Sequence, residues 1–186
     1  MATTLPLHVM VVLVAVVFAA ITDVWKFKVH NVVTLPLFVG GVAYHCLTGG
    51  VPAMWASIGG AVFGFAILIV PYILGGMGAG DVKLMTAIGA WLGLPLTLYV
   101  FLAASIAAGV YALVVIFLFR SFEETWANLR IAWLRVVAIG KHLNAEDRIE
   151  TEVNRADRRG RIIPFAAMIA LGLIVTLVLA KFTNAQ

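Results

Sequence analysis

The 186-residue chain has few charged side chains and a single cysteine. Charged residues make up 12% of the sequence, whereas 63% of the residues are hydrophobic. The one cysteine, Cys46, excludes an internal disulfide bond and any zinc site built from several cysteines. Dinucleotide-binding and helix-turn-helix signatures are also absent. Because a soluble core does not need so large an apolar fraction, the composition favours an integral membrane protein.

Acidic residues are rare through the first two thirds of the chain. Only Asp23 and Asp81 precede Glu123, and each lies at the edge of an apolar stretch. A carboxylate in or beside hydrocarbon is energetically costly, so an acid retained at the end of a membrane helix usually has a chemical task. We therefore expect the two aspartates to share a function. The four histidines lie in different segments without metal-ligand spacing, and we expect neither a metal nor a cofactor.

Six apolar stretches have about the length that crosses a bilayer, roughly 20 residues. In lipid, helices satisfy every backbone hydrogen bond, so these stretches predict an all-α, polytopic membrane protein with six transmembrane helices in one domain, residues 1–186. Pro95 separates the fourth stretch from the fifth, since one unbroken helix there would overrun the hydrocarbon. The predicted helices cover residues 5–22, 32–48, 53–74, 77–94, 96–119 and 162–181.

Basic residues are concentrated on one side of the predicted bundle. With six crossings, the loops at residues 23–31, 76–83 and 120–161 share a side, and they hold 12 of the 13 Lys and Arg residues. By the positive-inside rule that side is the cytoplasm, so both aspartates face the cytoplasm and both termini lie outside. The formal charge of +4 then reflects topology rather than nucleic-acid binding.

The loop at residues 120–161 is the only long polar region. Apolar residues at three-to-four residue spacing, with Trp126 and Trp133 among them, predict a cytoplasmic amphipathic helix on the membrane surface. Residues 144–161 carry both charge signs and few large apolar side chains, which is typical of a flexible linker. A docking surface for a partner protein is the alternative interpretation of this charged segment.

The spacing of small residues predicts contacts inside the bundle. The spacings from Gly60 to Gly64 and from Gly89 to Gly93 fit the pattern by which membrane helices approach closely. We interpret both as contacts within one chain rather than as a dimer interface. Cys46 is expected to pack as a small apolar residue in the second helix.

Two aspartates can activate one water molecule when their environments differ. An ionised carboxylate takes a proton from the water as it attacks an amide carbonyl, and a protonated carboxyl polarises that carbonyl. Gly78 and Gly80 next to Asp81 lack a Cβ, which allows unusual backbone dihedrals and close approach of a substrate. Asp23 and Asp81 are 58 positions apart, so only tertiary packing could join them.

The residues around both aspartates resemble the prepilin leader peptidases, which are intramembrane aspartyl proteases of the GxGD type. In that family one catalytic aspartate ends the first helix and an asparagine follows eight residues later, as Asn31 follows Asp23 here. The other belongs to a Gly-x-Gly-Asp-x-Lys sequence, which is intact here at residues 78–83. The Ile-Pro-Phe-Ala sequence at residues 163–166 is a third similarity, whereas His30 stands where the family usually has proline.

The resemblance implies an aspartic endopeptidase of the bacterial inner membrane, with Asp23 and Asp81 as its catalytic pair. Its substrates would be type IV or Flp-type prepilins and pseudopilins, cut at the cytoplasmic membrane face without a cofactor. The chain lacks the paired Cys-x-x-Cys sequences of the bifunctional members, so it resembles the short, peptidase-only branch of the tight-adherence pilus systems, without methyltransferase activity. The residues implied to bind substrate or shape the site are Gly78, Gly80, Lys83 and Asn31.

Two other classes of protein stay open at this point. In an ion-coupled transporter the aspartates would bind a cation or relay protons, although both lie on one membrane face and no internal repeat is present. A noncatalytic scaffold would recruit pilus components through residues 120–161. Lys83 suits a membrane-edge anchor as well as it suits a site residue, and Asn31 suits a cap of the second helix.

The charge pattern makes a topological prediction. Tags at Lys26, Met77 and Asn154 are expected to be protected from a membrane-impermeant reagent in intact cells, whereas tags at Gly50 and Gln186 are expected to react. Labelling of single-site variants before and after membrane permeabilisation measures this. External labelling at Asn154 would mean that the fourth stretch does not cross the membrane.

Overall fold

Four helices make up the computed structural model, which describes residues 6–26, 31–73, 77–119 and 165–183 together with Trp126 and Arg130. We number the helices α1 to α4 in chain order. The all-α prediction is confirmed for these residues. Most of the loop at residues 120–161, with its predicted amphipathic helix and linker, lies outside them. The helices are α1 Leu7–Lys26, α2 Asn31–Ile73, α3 Ala79–Phe119 and α4 Phe165–Thr183.

Both long helices bend at a left-handed glycine. Gly50 has φ 67° and ψ −161° in α2, and Gly93 has φ 71° and ψ 177° in α3. A proline follows two residues after each glycine, at Pro52 and Pro95. A glycine without Cβ ends a helix in this conformation at little cost, and proline suits the first turn of the next helix. The break predicted near Pro95 is therefore confirmed, with its turn at Gly93.

The bends bring helix length into line with bilayer thickness. A straight helix with the 43 residues of α2 would be roughly 65 Å long, about twice the hydrocarbon thickness. Both α2 and α3 are long and apolar enough to cross a membrane by length and composition, and α1 and α4 contain shorter apolar stretches. An integral membrane protein is thus plausible, whereas the six crossings and their orientation stay predictions.

The first helix extends one turn beyond its predicted end. The predicted segment stopped at residue 22, but α1 continues to Lys26, so Asp23 lies inside the helix. Residues three and four apart share a helix face, and Asp23 follows the buried Ala19 and Ala20 at these spacings. The aspartate therefore points to the core side of α1. Trp25, two positions on, is exposed on another face.

The first stretch of α3, residues 79–92, packs against α2 at glycine contacts. A Cβ added to Gly60 would collide with the carbonyl oxygen of Gly89, and one added to Gly64 would collide with that of Met85. These contacts confirm the interpretation of the glycine pattern as packing within the chain. The buried residues of this stretch are Asp81, Val82, Leu84, Met85, Ala87, Ile88, Gly89, Ala90, Trp91 and Leu92.

The chain divides into two compact units. The first contains Met1–Gly109 and Pro164–Gln186, with both aspartates and the apolar core, and in it α1 packs along α4. The second contains Val110–Ile163, whose described part includes the exposed Leu113 and Phe117 at the end of α3. Cys46 lies on α2, in the second helix as predicted, and its side chain is exposed.

Adjacent glycines on α2 allow a matched test of the helix contact. Gly60→Ala should lower the free energy of unfolding by about 1–3 kcal/mol, because the new methyl group overlaps the Gly89 carbonyl. Gly59→Ala is the control, since a Cβ at Gly59 meets no atom within 4 Å. Thermal unfolding in detergent micelles measures both. Equal stability of the two variants would contradict the contact.

Candidate active site

Asp23 is held at the beginning of the last helix. Its side chain is 7% exposed, and its Oδ2 accepts a hydrogen bond from the backbone N–H of Ala166 at 3.3 Å. Ala166 is the second residue of α4, and the first N–H groups of a helix have no partner within that helix. A carboxylate from α1 therefore caps α4, where the helix dipole also favours a negative charge.

Asp81 lies in the first turn of α3 and is also buried. The side chain is 8% exposed, and its backbone N–H donates to the carbonyl of Gly78 at 3.2 Å. Its Oδ1 atom is buried without a hydrogen-bond partner among the described residues. Because nearly all buried polar atoms in folded proteins are paired, this oxygen indicates a group kept for something other than stability.

The two aspartates lie close enough for their charges to interact. Both belong to the same compact unit, and the charge of Asp23 acts on the carboxyl group of Asp81. One acid comes from the last turn of α1 and the other from the first turn of α3. Two buried acids near each other would oppose folding if both were ionised, so their retention points to a chemical role.

The glycines of the Gly-x-Gly-Asp sequence do not have the unusual backbone that was predicted for them. Among the described glycines only Gly50 and Gly93 have positive φ, whereas Gly80 is a helical residue in the first turn of α3. The explanation by unusual dihedrals is therefore wrong, because α3 already begins at Ala79. Close approach is still possible, since Gly78 is exposed and a Cβ there would lie 3.4 Å from Asp81 Oδ2.

The other two candidate site residues are less well defined by the structure. Lys83 is exposed two residues after Asp81. Asn31 is the first residue of α2, and its side chain lies outside the described part of the chain. Over the described ranges no group of three His, Cys, Asp or Glu side chains could hold a metal ion.

Sequence reasoning missed the backbone amide that contacts Asp23. Ala166 was associated with the opening of the last helix, but nothing indicated its partner 143 positions earlier in the chain. The one available signal was the proline before Phe165, because proline is favoured in the first turn of a helix and so marks a terminus with free N–H groups. That signal locates a donor without identifying what it binds.

Comparisons with known proteins agree on one family. The model of the Type IV leader peptidase family matches residues 10–113. The prepilin leader peptidase/N-methyltransferase of Aeromonas salmonicida (strain A449) is 38% identical over 114 residues, which are 58% of this chain and 38% of that protein. Leader peptidase HopD of Salmonella typhimurium is 45% identical over 84 residues, which are 41% of this chain and 54% of that protein. The matches thus span about half or less of these relatives, and no solved structure matches significantly.

The unpaired acid makes a prediction about stability. Asp81→Asn keeps the shape of the side chain but cannot ionise, so at high pH, where Asp81 would otherwise carry a buried charge beside Asp23, it should raise the free energy of unfolding by on the order of 1 kcal/mol. Asp23→Asn is the control, since it removes the same repulsion but weakens the acceptor of the Ala166 N–H. Thermal unfolding in detergent compares the two. If Asp81→Asn were less stable than the parent protein, other interactions in the folded state would have to offset the cost of burying the carboxylate.

Proposed function

The chain belongs to the type IV leader peptidase family, and we propose that it is an aspartic endopeptidase that removes the leader of type IV or Flp-type prepilins and pseudopilins. The family match covers more than half of the chain and includes both Asp23 and Asp81. The observation that carries the proposal is the burial of both acids in the same compact unit, with Asp23 7% and Asp81 8% exposed. Family membership favours this function over the ion-coupled transporter.

Hydrolysis at this pair needs one water molecule and one shared proton. The ionised carboxylate takes a proton from the water, whose oxygen attacks the carbonyl carbon of the scissile peptide. The protonated carboxyl donates a hydrogen bond to the carbonyl oxygen and stabilises the charge that develops there. Collapse of the tetrahedral intermediate breaks the C–N bond, and the leaving amine takes a proton from the dyad. A new carboxyl terminus and a new amino terminus result.

The environments of the two acids differ, which supports separate roles. Asp23 accepts a backbone N–H from Ala166, and such a bond stabilises a negative charge. Asp81 has a buried oxygen without a partner among the described residues, where the neutral acid is less costly than the anion. We assign the general base to Asp23 and the proton to Asp81.

Access to the dyad is proposed to run past Gly78. This residue is exposed, and the absence of a Cβ leaves the space beside Asp81 Oδ2 open to an extended peptide. Gly80 lies one residue before the acid and is proposed to serve the same purpose. Lys83 and Asn31 are proposed to contact substrate or shape the site, and no metal or cofactor takes part.

The location of the reaction follows from the charge pattern. Because most Lys and Arg residues are predicted to lie on the same side as both aspartates, we propose that the site faces the cytoplasm in the bacterial inner membrane. The substrate's apolar helix would lie in lipid beside the enzyme, with its leader in the cytoplasm. The single cysteine supports a peptidase without the methyltransferase activity named for the Aeromonas relative.

The acid pair is tested by removing one charge at a time. Asp23→Asn and Asp81→Asn should each lower the rate of prepilin cleavage by about a hundredfold to ten-thousandfold, since an amide can neither act as a base nor share the proton. Incubation with a prepilin in liposomes, followed by sizing of the product, measures this. Wild-type rates in either variant would remove the dyad from the mechanism.

The same assay contains its own controls. Cys46→Ser replaces an exposed residue outside the site and should cleave normally. Thiol-directed, serine-directed and chelating reagents should leave the unmodified enzyme active. Inhibition by EDTA would instead point to a metal-dependent reaction.

A methyl group at Gly78 tests the proposed route of access. Gly78→Ala would place a Cβ 3.4 Å from Asp81 Oδ2 and should lower turnover about tenfold to a hundredfold, because small misplacements at a reacting centre are costly. Gly109→Ala is the control, since a Cβ there meets no atom within 4 Å. Rates are compared at equal amounts of folded protein. Equal turnover would mean that Gly78 has no part in access.

A further inference from the structure

Two polar side chains of α2 contact the last turn of the helical stretch that carries Asp81. The buried Ser57 Oγ donates to the carbonyl of Ala90 at 2.6 Å. His45 Nε2 lies 3.0 Å from the carbonyl oxygen of Trp91. Because a carbonyl oxygen only accepts, His45 Nε2 carries the proton and donates it. The donors come from either side of the bend at Gly50.

The local sequence explains why these two carbonyls need outside donors. In a continuous helix the carbonyl of Trp91 would accept the N–H of residue 95, which is proline and has none. The carbonyl of Ala90 belongs to the same last turn before Gly93, where helix carbonyls lose their partners. A carbonyl left unpaired in apolar surroundings costs free energy, and no water is available in hydrocarbon to replace the donor.

The ring of Trp91 forms further contacts between the same turn and α2. Its Nε1 donates to the carbonyl of Leu37 at 2.6 Å, and the ring stacks on Tyr44 with centroids 5.5 Å apart. The ring of His8 from α1 lies 5.7 Å from Tyr44 and 6.5 Å from His45. A cluster of aromatic and histidine side chains therefore surrounds this end of the stretch.

At the opposite end of the stretch, the backbone N–H of Asp81 bonds within its own turn, to the carbonyl of Gly78. Asp81 Oδ1 has no partner among the described residues, and the glycine contacts along α2 are close but do not fix position along the axis. Hydrogen bonds depend on direction, so the bonds from α2 fix the position of the stretch along its axis. Asp81 and Trp91 are ten residues apart, a rise of about 15 Å, so a shift of the last turn moves the acid by a similar amount.

We propose that Ser57 and His45 are positioning residues, which set the height of Asp81 relative to Asp23 by capping the far end of the same helical stretch. The proposal rests on the peptidase function proposed above. Neither side chain touches the reacting atoms, and both act through the backbone of residues 79–92.

Kinetics distinguishes positioning from a general loss of folding. Ser57→Ala and His45→Leu should each lower kcat about tenfold to a hundredfold, the cost of a misplacement of up to about 1 Å. KM should change less than about twofold, because neither Ser57 nor His45 is proposed to contact the substrate. His45→Gln keeps an N–H donor of similar reach and should recover most of the kcat. Thr176→Val is the control, since Thr176 Oγ1 donates to Gly172 in its own helix.

A distance measurement tests the same inference without any cleavage. In a Cys46→Ser background, spin labels at Trp25→Cys and Ala79→Cys report the separation of the two site-bearing helix ends, because both positions are exposed. Their distance distribution should shift or broaden with Ser57→Ala or His45→Leu and should stay unchanged with His45→Gln and Thr176→Val. If Ser57→Ala does not fold, the His45 variants alone test the positioning role, because His45 is only half-buried and its replacement disturbs the core less.

The outcomes separate this inference from the proposed function. A parent enzyme that cleaves no prepilin overturns the peptidase function, and the distance distributions then decide the positioning role alone. Lower kcat or lower thermal stability with an unchanged distance distribution overturns positioning. Unchanged kcat in both Ser57→Ala and His45→Leu overturns it as well.

Discussion

The candidate site depends on how closely one helical stretch can approach α2. Residues 79–92 lie so near it that Gly60 and Gly89 have no room for a Cβ, and the same holds where Gly64 meets Met85. At that separation backbone meets backbone, and directional bonds from α2 can reach the carbonyls at the end of the stretch. A larger residue at these positions would move Asp81 away from the core that buries it.

Burial of two acids near each other is the energetic cost of this arrangement. The apolar core of the unit includes residues of all four helices, and both acids are buried. Asp23 accepts a hydrogen bond from the N–H of Ala166, whereas Asp81 Oδ1 has no partner among the described residues. Apolar packing elsewhere in the unit must offset the free-energy cost of burying the Asp81 oxygen without a hydrogen bond. Such a local conflict with stability is common where a side chain is kept for chemistry.

The sequence was sufficient to predict an all-α chain and to single out the two acids that the structure buries. Apolar length and Pro95 predicted the segments, and the rarity of acids before residue 123 singled out Asp23 and Asp81. Local patterns could not predict what the acids contact, because the Ala166 N–H is a backbone group that has no residue signature. They also did not distinguish the helical Gly80 from the left-handed Gly93, since glycine permits both conformations.

The bond between Asp23 and Ala166 has a consequence for biosynthesis. Its two ends are separated by 143 positions, so the donor leaves the ribosome only after α1, α2 and α3 have been made. The donors for Ala90 and Trp91 are synthesised before their acceptors, and that part of the bundle can be completed as the chain elongates. Asp23 therefore has no Ala166 N–H to bind until α4 has been synthesised. A nascent chain without α4 carries both acids but not the complete site.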